Sequence, residues 1–229
     1  MEVATRCVAL MAALPHPGRL FAARERPIAR RQLDRRLREL APADARTLDA
    51  VEGLLRWRAA DVGAGDGDVA VRGRAVLAEL SDATLLEVVR RRLEMRTVIA
   101  ALRRRRDGGA APADPGCHRR AGRLRRCWAW PDLGLGGWHP WLGAARAALD
   151  AGDALGLERL LLRRAWRDLD ELGRDHRFDV TAVVLYVLRW DLMDRWMRYE
   201  AEAAGERLDA LVAAASAAYG PVVPEAADG

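Results

Sequence analysis

Apolar residues recur every three or four positions through most of the chain, which is the spacing of one face of an α-helix. The clearest run predicts a helix that ends at Arg106 and begins after Ser81 or Asp82, either of which can cap it. Residues 61–68, which are rich in Gly and Asp, predict a flexible connection before this helix.

The same spacing predicts helices over residues 29–40, 42–57, 140–150 and 153–172. Residues 118–141 have poor periodicity. They predict a short helix followed by an irregular, tryptophan-rich segment that packs on the core.

The C-terminal third predicts a long helix from about Asp179 to Gly205, a final alanine-rich helix over residues 206–218, and a disordered tail over residues 219–229. Its wide apolar face indicates that the first half of the long helix is buried. Five side chains of this region are predicted to lie in the core: Phe178, Tyr186, Leu188, Leu192 and Trp196.

These patterns predict an all-α fold, a multi-helix bundle. The one stretch that also fits a short strand is residues 3–14. We expect a single helical domain over residues 1–218. The alternative is two lobes, 1–106 and 118–218, joined by a Gly/Pro-rich loop or linker at residues 107–117.

Composition narrows the class of protein. With 51% hydrophobic residues among 229, the chain is not intrinsically disordered. No apolar run approaches the ~18 residues that a membrane-spanning helix needs. The apolar run after Cys7 is too short for a secretory signal, and the three cysteines predict a reducing, cytoplasmic location.

Charge is a weaker guide. The net charge is +5, but every basic residue is Arg and Lys is absent, which is typical of codons biased toward G and C. The 33 acidic residues also nearly balance the 38 basic ones, so composition gives little support for a polyanionic partner.

Reaction chemistry is not evident in the sequence. Without Lys there is no phosphate-binding loop of the GxxxxGK[ST] type. Cys117, His118 and Cys127 lack the paired spacing of zinc ligands, and we expect two small buried thiols and a surface histidine instead. We therefore predict no catalytic residue, no metal site and no cofactor.

Two segments carry a family resemblance. VALMAALPHPG (Val8–Gly18) and HRFDVTAVVLYVLRWDLMDRW (His176–Trp196) resemble the opening and closing segments of an uncharacterised bacterial family encoded among the genes of V-type ATP synthases. The residues that match the closing segment are Phe178, Asp179, Tyr186, Arg195 and Trp196.

A third segment, Arg92–Gly108, is similar to a repeated helix of the C-type adaptor of V-type ATPases, known as the d-type adaptor in eukaryotes. Thr97 stands where that helix usually has Asn. Such adaptors are all-helical and cup-shaped, carry no catalytic chemistry, and join the central rotor stalk to the membrane-embedded ring. The residues that match are Glu94, Arg96, Leu102, Arg103 and Gly108.

The resemblance implies a non-enzymatic adaptor on the cytoplasmic face of the membrane, with rotor-stalk and membrane-ring proteins of a V-type ATPase as partners and no small-molecule substrate. The alternative is a nucleic-acid-binding protein that uses the Arg/Trp-rich segment 119–141. Nine arginines are candidates for partner binding, the other interpretation being a solvated face: Arg103, Arg104, Arg105, Arg106, Arg119, Arg120, Arg123, Arg125 and Arg126.

Overall fold

A computed structural model describes residues 2–56, 66–114 and 116–219 of the chain. It is 68% helical and has no strand in that part, which confirms the all-α fold. In chain order the helices are α1 (Glu2–Ala13), α2 (Arg30–Leu37), α3 (Pro42–Leu55), α4 (Asp66–Glu79), α5 (Ala83–Arg106), α6 (Ala121–Arg126), α7 (Leu142–Asp150), α8 (Ala154–Leu172) and α9 (Val180–Tyr219).

The N-terminal segment, which fits a strand or a helix by sequence, is helix α1. Cys7, Leu10 and Leu14 are buried at helical spacing, and α1 packs on α9. The opening segment of the chain is therefore part of the core.

Helix α4 was not predicted. Residues 66–68, expected in a flexible connection, form its first turn, and residues 61–65 lie outside the described residues. Its packing depends on small side chains, which leave a weak apolar pattern. A Cβ added at Gly73 would come 2.8 Å from Cδ1 of Leu93 on α5, so the two helices approach closely there.

Helix α5 begins as predicted. The side chain of Asp82 accepts a hydrogen bond from the backbone N–H of Leu85 at 2.8 Å, so Asp82 and not Ser81 is the capping residue. Because α5 is 24 residues long, its two halves reach different parts of the protein.

Two clusters of buried apolar residues lie along α5. The first combines α1, α2, α3, the first half of α5, the second half of α8, and α9. The second combines the second half of α5 with α6, α7 and the start of α8. Since α5 and α8 contribute to both clusters, the clusters do not follow the predicted lobes 1–106 and 118–218.

The tryptophan-rich segment after α6 is irregular, as predicted, but leucines anchor it. Leu133 and Leu135 are fully buried in the second cluster, whereas Trp130 and Trp138 are exposed. The carboxylate of Asp132 accepts hydrogen bonds from the backbone N–H groups of the two glycines that follow Leu133 and Leu135 and so stabilises the turn.

Helix α9 is 40 residues long and continues through Gly205, so the predicted break there is wrong. A single exposed Gly costs only about 1 kcal/mol in a helix interior, too little to end one of this length. Tyr219 belongs to α9, and residues 220–229 of the predicted tail lie outside the described residues.

Four of the five predicted core side chains are buried: Tyr186, Leu188, Leu192 and Trp196. The prediction for Phe178 is wrong, because its side chain is 52% exposed. Phe178 precedes the helix, whose first turn is capped by the next residue. Asp179 Oδ1 accepts from the N–H of Ala182 at 2.7 Å. Phe178 therefore lies off the apolar face of α9.

No helix in the described ranges is long and apolar enough to cross a membrane.

Candidate functional site

The positive charge of the chain is concentrated in one segment. Residues 103–138 contain nine arginines and three aspartates, a net charge of +6, whereas the whole chain carries +5. The rest of the chain is therefore slightly acidic. A local sum along the sequence detects this concentration, which the overall composition conceals.

The structure places these arginines at the end of α5, on α6 and in the adjoining loops, around the second apolar cluster. The side chain of Arg105 joins the two parts, because it donates to the backbone carbonyls of Trp130 and, at 2.9 Å, Pro131. Arg123 donates to the carbonyl of Gly134 at 2.6 Å. We call residues 103–106 and 119–126 the basic surface.

Most of this surface keeps its charge uncompensated. Arg106 pairs with Asp107, and Arg119 pairs with Glu87 and Glu94. Hydrogen bonds to backbone carbonyls hold an arginine in place without neutralising it. Seven of the nine have no ion pair with a carboxylate among the described residues: Arg103, Arg104, Arg105, Arg120, Arg123, Arg125 and Arg126.

The tryptophans of the segment are less available than the sequence suggests. The guanidinium of Arg120 lies 4.2 Å from the ring centroid of Trp138, and that of Arg123 lies 5.1 Å from it. Such cation–π contacts occupy the ring face that a nucleic-acid base would need for stacking. Trp130, which is 55% exposed, remains accessible.

A second group of functional side chains lies beside the basic surface. Glu94 of α5, His118 and His139 place their ligand atoms within 4.8 Å of one another. His118 is buried, so the expectation of a surface histidine is wrong. The sequence could not reveal this group, because its members are 21 to 45 positions apart and lie on three elements.

Hydrogen bonds define the protonation of the two histidines. The backbone N–H of Arg120 donates to Nδ1 of His118 at 2.9 Å, so the proton of the neutral His118 ring is on Nε2. That nitrogen lies 2.9 Å from Nε2 of His139, which must accept. The proton of His139 is therefore on Nδ1.

Both rings are held neutral. Burial lowers the pKa of His118 to about 4, with Glu94 opposing the shift and His139 and two arginines adding to it. Burial, with Arg164, Arg119 and Arg120, also lowers the pKa of His139, against the opposing charge of Glu94. A second proton on either ring would place two N–H groups face to face, so the geometry favours the same direction.

Glu94 is buried and ionised. Its Oε1 accepts from the backbone N–H of Arg119 at 3.1 Å and from Nε of the same residue at 2.8 Å. These hydrogen bonds lower the pKa of Glu94, against the effect of burial. The pair fixes the loop before α6 to the middle of α5.

A carboxylate and two imidazoles are a ligand set that zinc and other transition ions accept. Here the proton on His118 Nε2 occupies the position that a metal would need, and His118 Nδ1 already accepts from an amide. A metal-bound neutral imidazole must instead donate from its other nitrogen. The observed hydrogen bonds therefore describe a proton-linked pair, and a metal would have to rearrange them.

The cysteines are separate from this group. Cys117 donates to the carbonyl of Ala70 at 3.4 Å, and burial raises the pKa of its thiol. Cys7 is buried as well. Thiols of this kind are poor nucleophiles and poor metal ligands at neutral pH.

No family model, curated protein or solved structure matches the chain.

Proposed function

We propose that the protein is a non-enzymatic component of a V-type ATPase or ATP synthase, a C-type adaptor that couples the central stalk to the membrane ring. The observation that supports it is the packing of the two segments that carry the resemblance. Val8–Gly18 and His176–Trp196 are far apart in the sequence, yet α1 contacts α9 and both belong to the first apolar cluster.

The side chains that define the two segments contribute to this shared core. Leu10 and Leu14 of the first segment are buried in the same cluster as Tyr186 and Trp196 of the second. Two likenesses that occur in one packed unit represent a single structural feature, which makes them a stronger argument than two isolated matches.

The segment between them is anchored to the same core. Phe21 packs edge-on against Trp196, with ring centroids 5.1 Å apart, and the indole N–H of Trp190 donates to the carbonyl of Ile28 at 2.8 Å. The residues that follow Val8–Gly18 therefore lie against α9 as well.

The third likeness falls on α5, the helix that contributes to both apolar clusters. Glu94, its acidic residue, is buried and paired with Arg119. The charge at this position has a structural use, because it holds the loop that precedes α6.

The basic surface suits an adaptor. A protein that joins other proteins of a complex needs stiff elements and charged faces of one sign, and it needs no reacting groups. Seven arginines without carboxylate partners among the described residues present such a face, which would meet acidic ends of the stalk or ring proteins.

The experiment is recovery of the tagged protein from its native cells in mild detergent, with the bound proteins identified by mass spectrometry. The test variant replaces Arg103, Arg125 and Arg126 with Ser. The control variant replaces three exposed arginines of the α2 region with Ser, which gives the same change in net charge: Arg31, Arg35 and Arg38.

We expect the catalytic and rotor proteins of a V-type ATPase to be recovered with the wild-type and control proteins and to be depleted with the test variant. Recovery of nucleic acid or ribosomal components without any ATPase protein would overturn the proposal and favour the nucleic-acid alternative. Equal recovery with both variants would remove the basic surface from the interface.

A further inference from the structure

A cavity of about 140 Å³ opens between the end of α3 and helices α5, α8 and α9. Its wall is mainly aliphatic, and six of its side chains are Leu54, Leu55, Met95, Ile99, Leu161 and Leu162. It is distinct from the basic surface and from the histidine pair, although α5 contributes to all three.

The charged groups of the cavity are strongly unbalanced. Four arginines line it against one carboxylate, Glu158. That carboxylate is already bound, because Arg195 donates to it through Nε and through a terminal nitrogen at 2.8 Å. Glu158 therefore has little negative charge left to offer Arg92, which lines the same cavity.

Arg92 is the most isolated arginine of this wall. It makes no hydrogen bond and no ion pair in the part of the chain that the structure describes. Burial lowers the pKa of its guanidinium to about 10, and the neighbouring charge of Arg195 adds to the shift. The group is still charged at neutral pH, so a cation without an acceptor lies among apolar side chains.

The carboxylates nearest to Arg92 are committed elsewhere. Asp168 accepts from Arg91 at 2.9 Å and from Arg164 at 2.6 Å. Asp191 pairs with two arginines of other elements, and Glu158 is held by α9. A guanidinium enclosed without a partner is unfavourable, and an anion supplied from outside would satisfy it.

We propose that this cavity binds a small carboxylate with an apolar body, whose oxygens accept hydrogen bonds from Arg92 and whose body lies against the aliphatic wall. The volume suits a group the size of a benzene ring, since an engineered cavity of about 150 Å³ in another protein accepts benzene. Guanidinium and carboxylate form paired, charge-assisted hydrogen bonds. This inference does not depend on the proposed adaptor function.

Sodium benzoate is the probe, with benzamide as its neutral counterpart and inorganic phosphate as an anion without an apolar body. Binding is measured by calorimetry and by the shift of the thermal midpoint, at matched ionic strength. We expect benzoate to bind in the millimolar range and to raise the midpoint with concentration. Benzamide and phosphate should give little shift.

The matched variants are Arg92→Met and Arg90→Met, the same change on the same helix at an enclosed and at an exposed position. Loss of the charge-assisted hydrogen bonds should weaken benzoate binding at least ~10-fold in Arg92→Met and leave Arg90→Met unchanged. Without ligand, Arg92→Met should melt no lower than the wild type, because it removes an unpartnered cation.

A further variant, Ala100→Leu, fills part of the cavity and leaves Arg92 in place. It should reduce benzoate binding while the protein remains folded, and it serves as the test if Arg92→Met fails to fold. The proposal is overturned if benzoate does not bind the wild type, if phosphate binds equally well, or if Ala100→Leu and Arg92→Met bind benzoate as the wild type does.

Discussion

Nε2 of His118 lies 2.9 Å from Nε2 of His139, and the two imidazoles can share that contact only through a single proton. The amide of Arg120 occupies the other acceptor nitrogen of His118, which places the shared proton on His118. The pair links the loop before α6 to the segment before α7, next to Glu94 of α5.

The tautomers are a direct prediction of this contact. Nitrogen-15 NMR of the imidazoles should show His118 protonated on Nε2 and His139 protonated on Nδ1 at neutral pH. Because a metal would need to displace the shared proton, addition of Zn²⁺ at neutral pH should leave both patterns in place. A pattern with His118 protonated on Nδ1, or its replacement on adding Zn²⁺, would show that the site is organised for metal.

The pH dependence of stability contains two opposing contributions. His118 has a pKa of about 4 in the folded protein and about 6.5 unfolded, so in that window the unfolded chain binds more protons and stability falls as pH falls. Asp191 has a pKa raised to about 7 by burial and by Glu52, while Arg56 and Arg30 oppose the rise. Its contribution has the other sign, because the folded protein holds the proton and stability falls as pH rises.

We therefore expect Asp191→Asn to make the slope of unfolding free energy against pH more positive. One proton corresponds to about 1.4 kcal/mol per pH unit, between about pH 4.5 and 6. His118→Gln should change the slope in the opposite direction. Denaturant unfolding across this range gives both slopes, and a wild-type slope in Asp191→Asn would contradict the raised pKa.

The sequence predicted the helices that carry strong apolar rows and missed those that do not. Helix α4 packs through Val69, Ala70 and Gly73 against α5, and small side chains give no visible row. The break expected at Gly205 is absent because local propensity is too weak to end an otherwise favourable helix. Phe178 was placed in the core from its composition, although it precedes the helix and lies off its apolar face.

The histidine pair and the cavity were beyond sequence reasoning for a different reason. Glu94 and Arg92 lie two positions apart on α5 and belong to different groups, and each group is completed by residues from other elements. Only the packing of α5 against its neighbours brings these residues together. The basic surface, in contrast, is nearly contiguous in the sequence and is predictable from local charge.

Glu94→Gln tests the link between α5 and the loop before α6. The change replaces a carboxylate that is 4% exposed and accepts from both the backbone and the side chain of Arg119. Loss of hydrogen bonds to a buried charge should lower the free energy of unfolding by about 1–3 kcal/mol, measured by denaturant unfolding. Glu87→Gln is the control, since Glu87 pairs with the same arginine at a more exposed position and should lose less than about 1 kcal/mol.

Trp196→Ala tests whether the residue that ends the closing segment is a core residue or a contact for a partner. Its ring is 3% exposed, packs edge-on against Phe21 and lies 5.1 Å from the guanidinium of Arg159. Removing it should lower the free energy of unfolding by ~3–5 kcal/mol through the lost burial and the cavity left behind.

The matched control is Phe178→Ala, an aromatic residue of the same segment that is 52% exposed. It should change the free energy of unfolding by no more than about 0.5 kcal/mol, because little apolar area leaves the interior. Denaturant unfolding measures both variants. A Trp196→Ala protein that melts like the wild type and fails to recover partner proteins would mean that Trp196 acts at an interface, whereas the burial of its ring leads us to expect destabilisation.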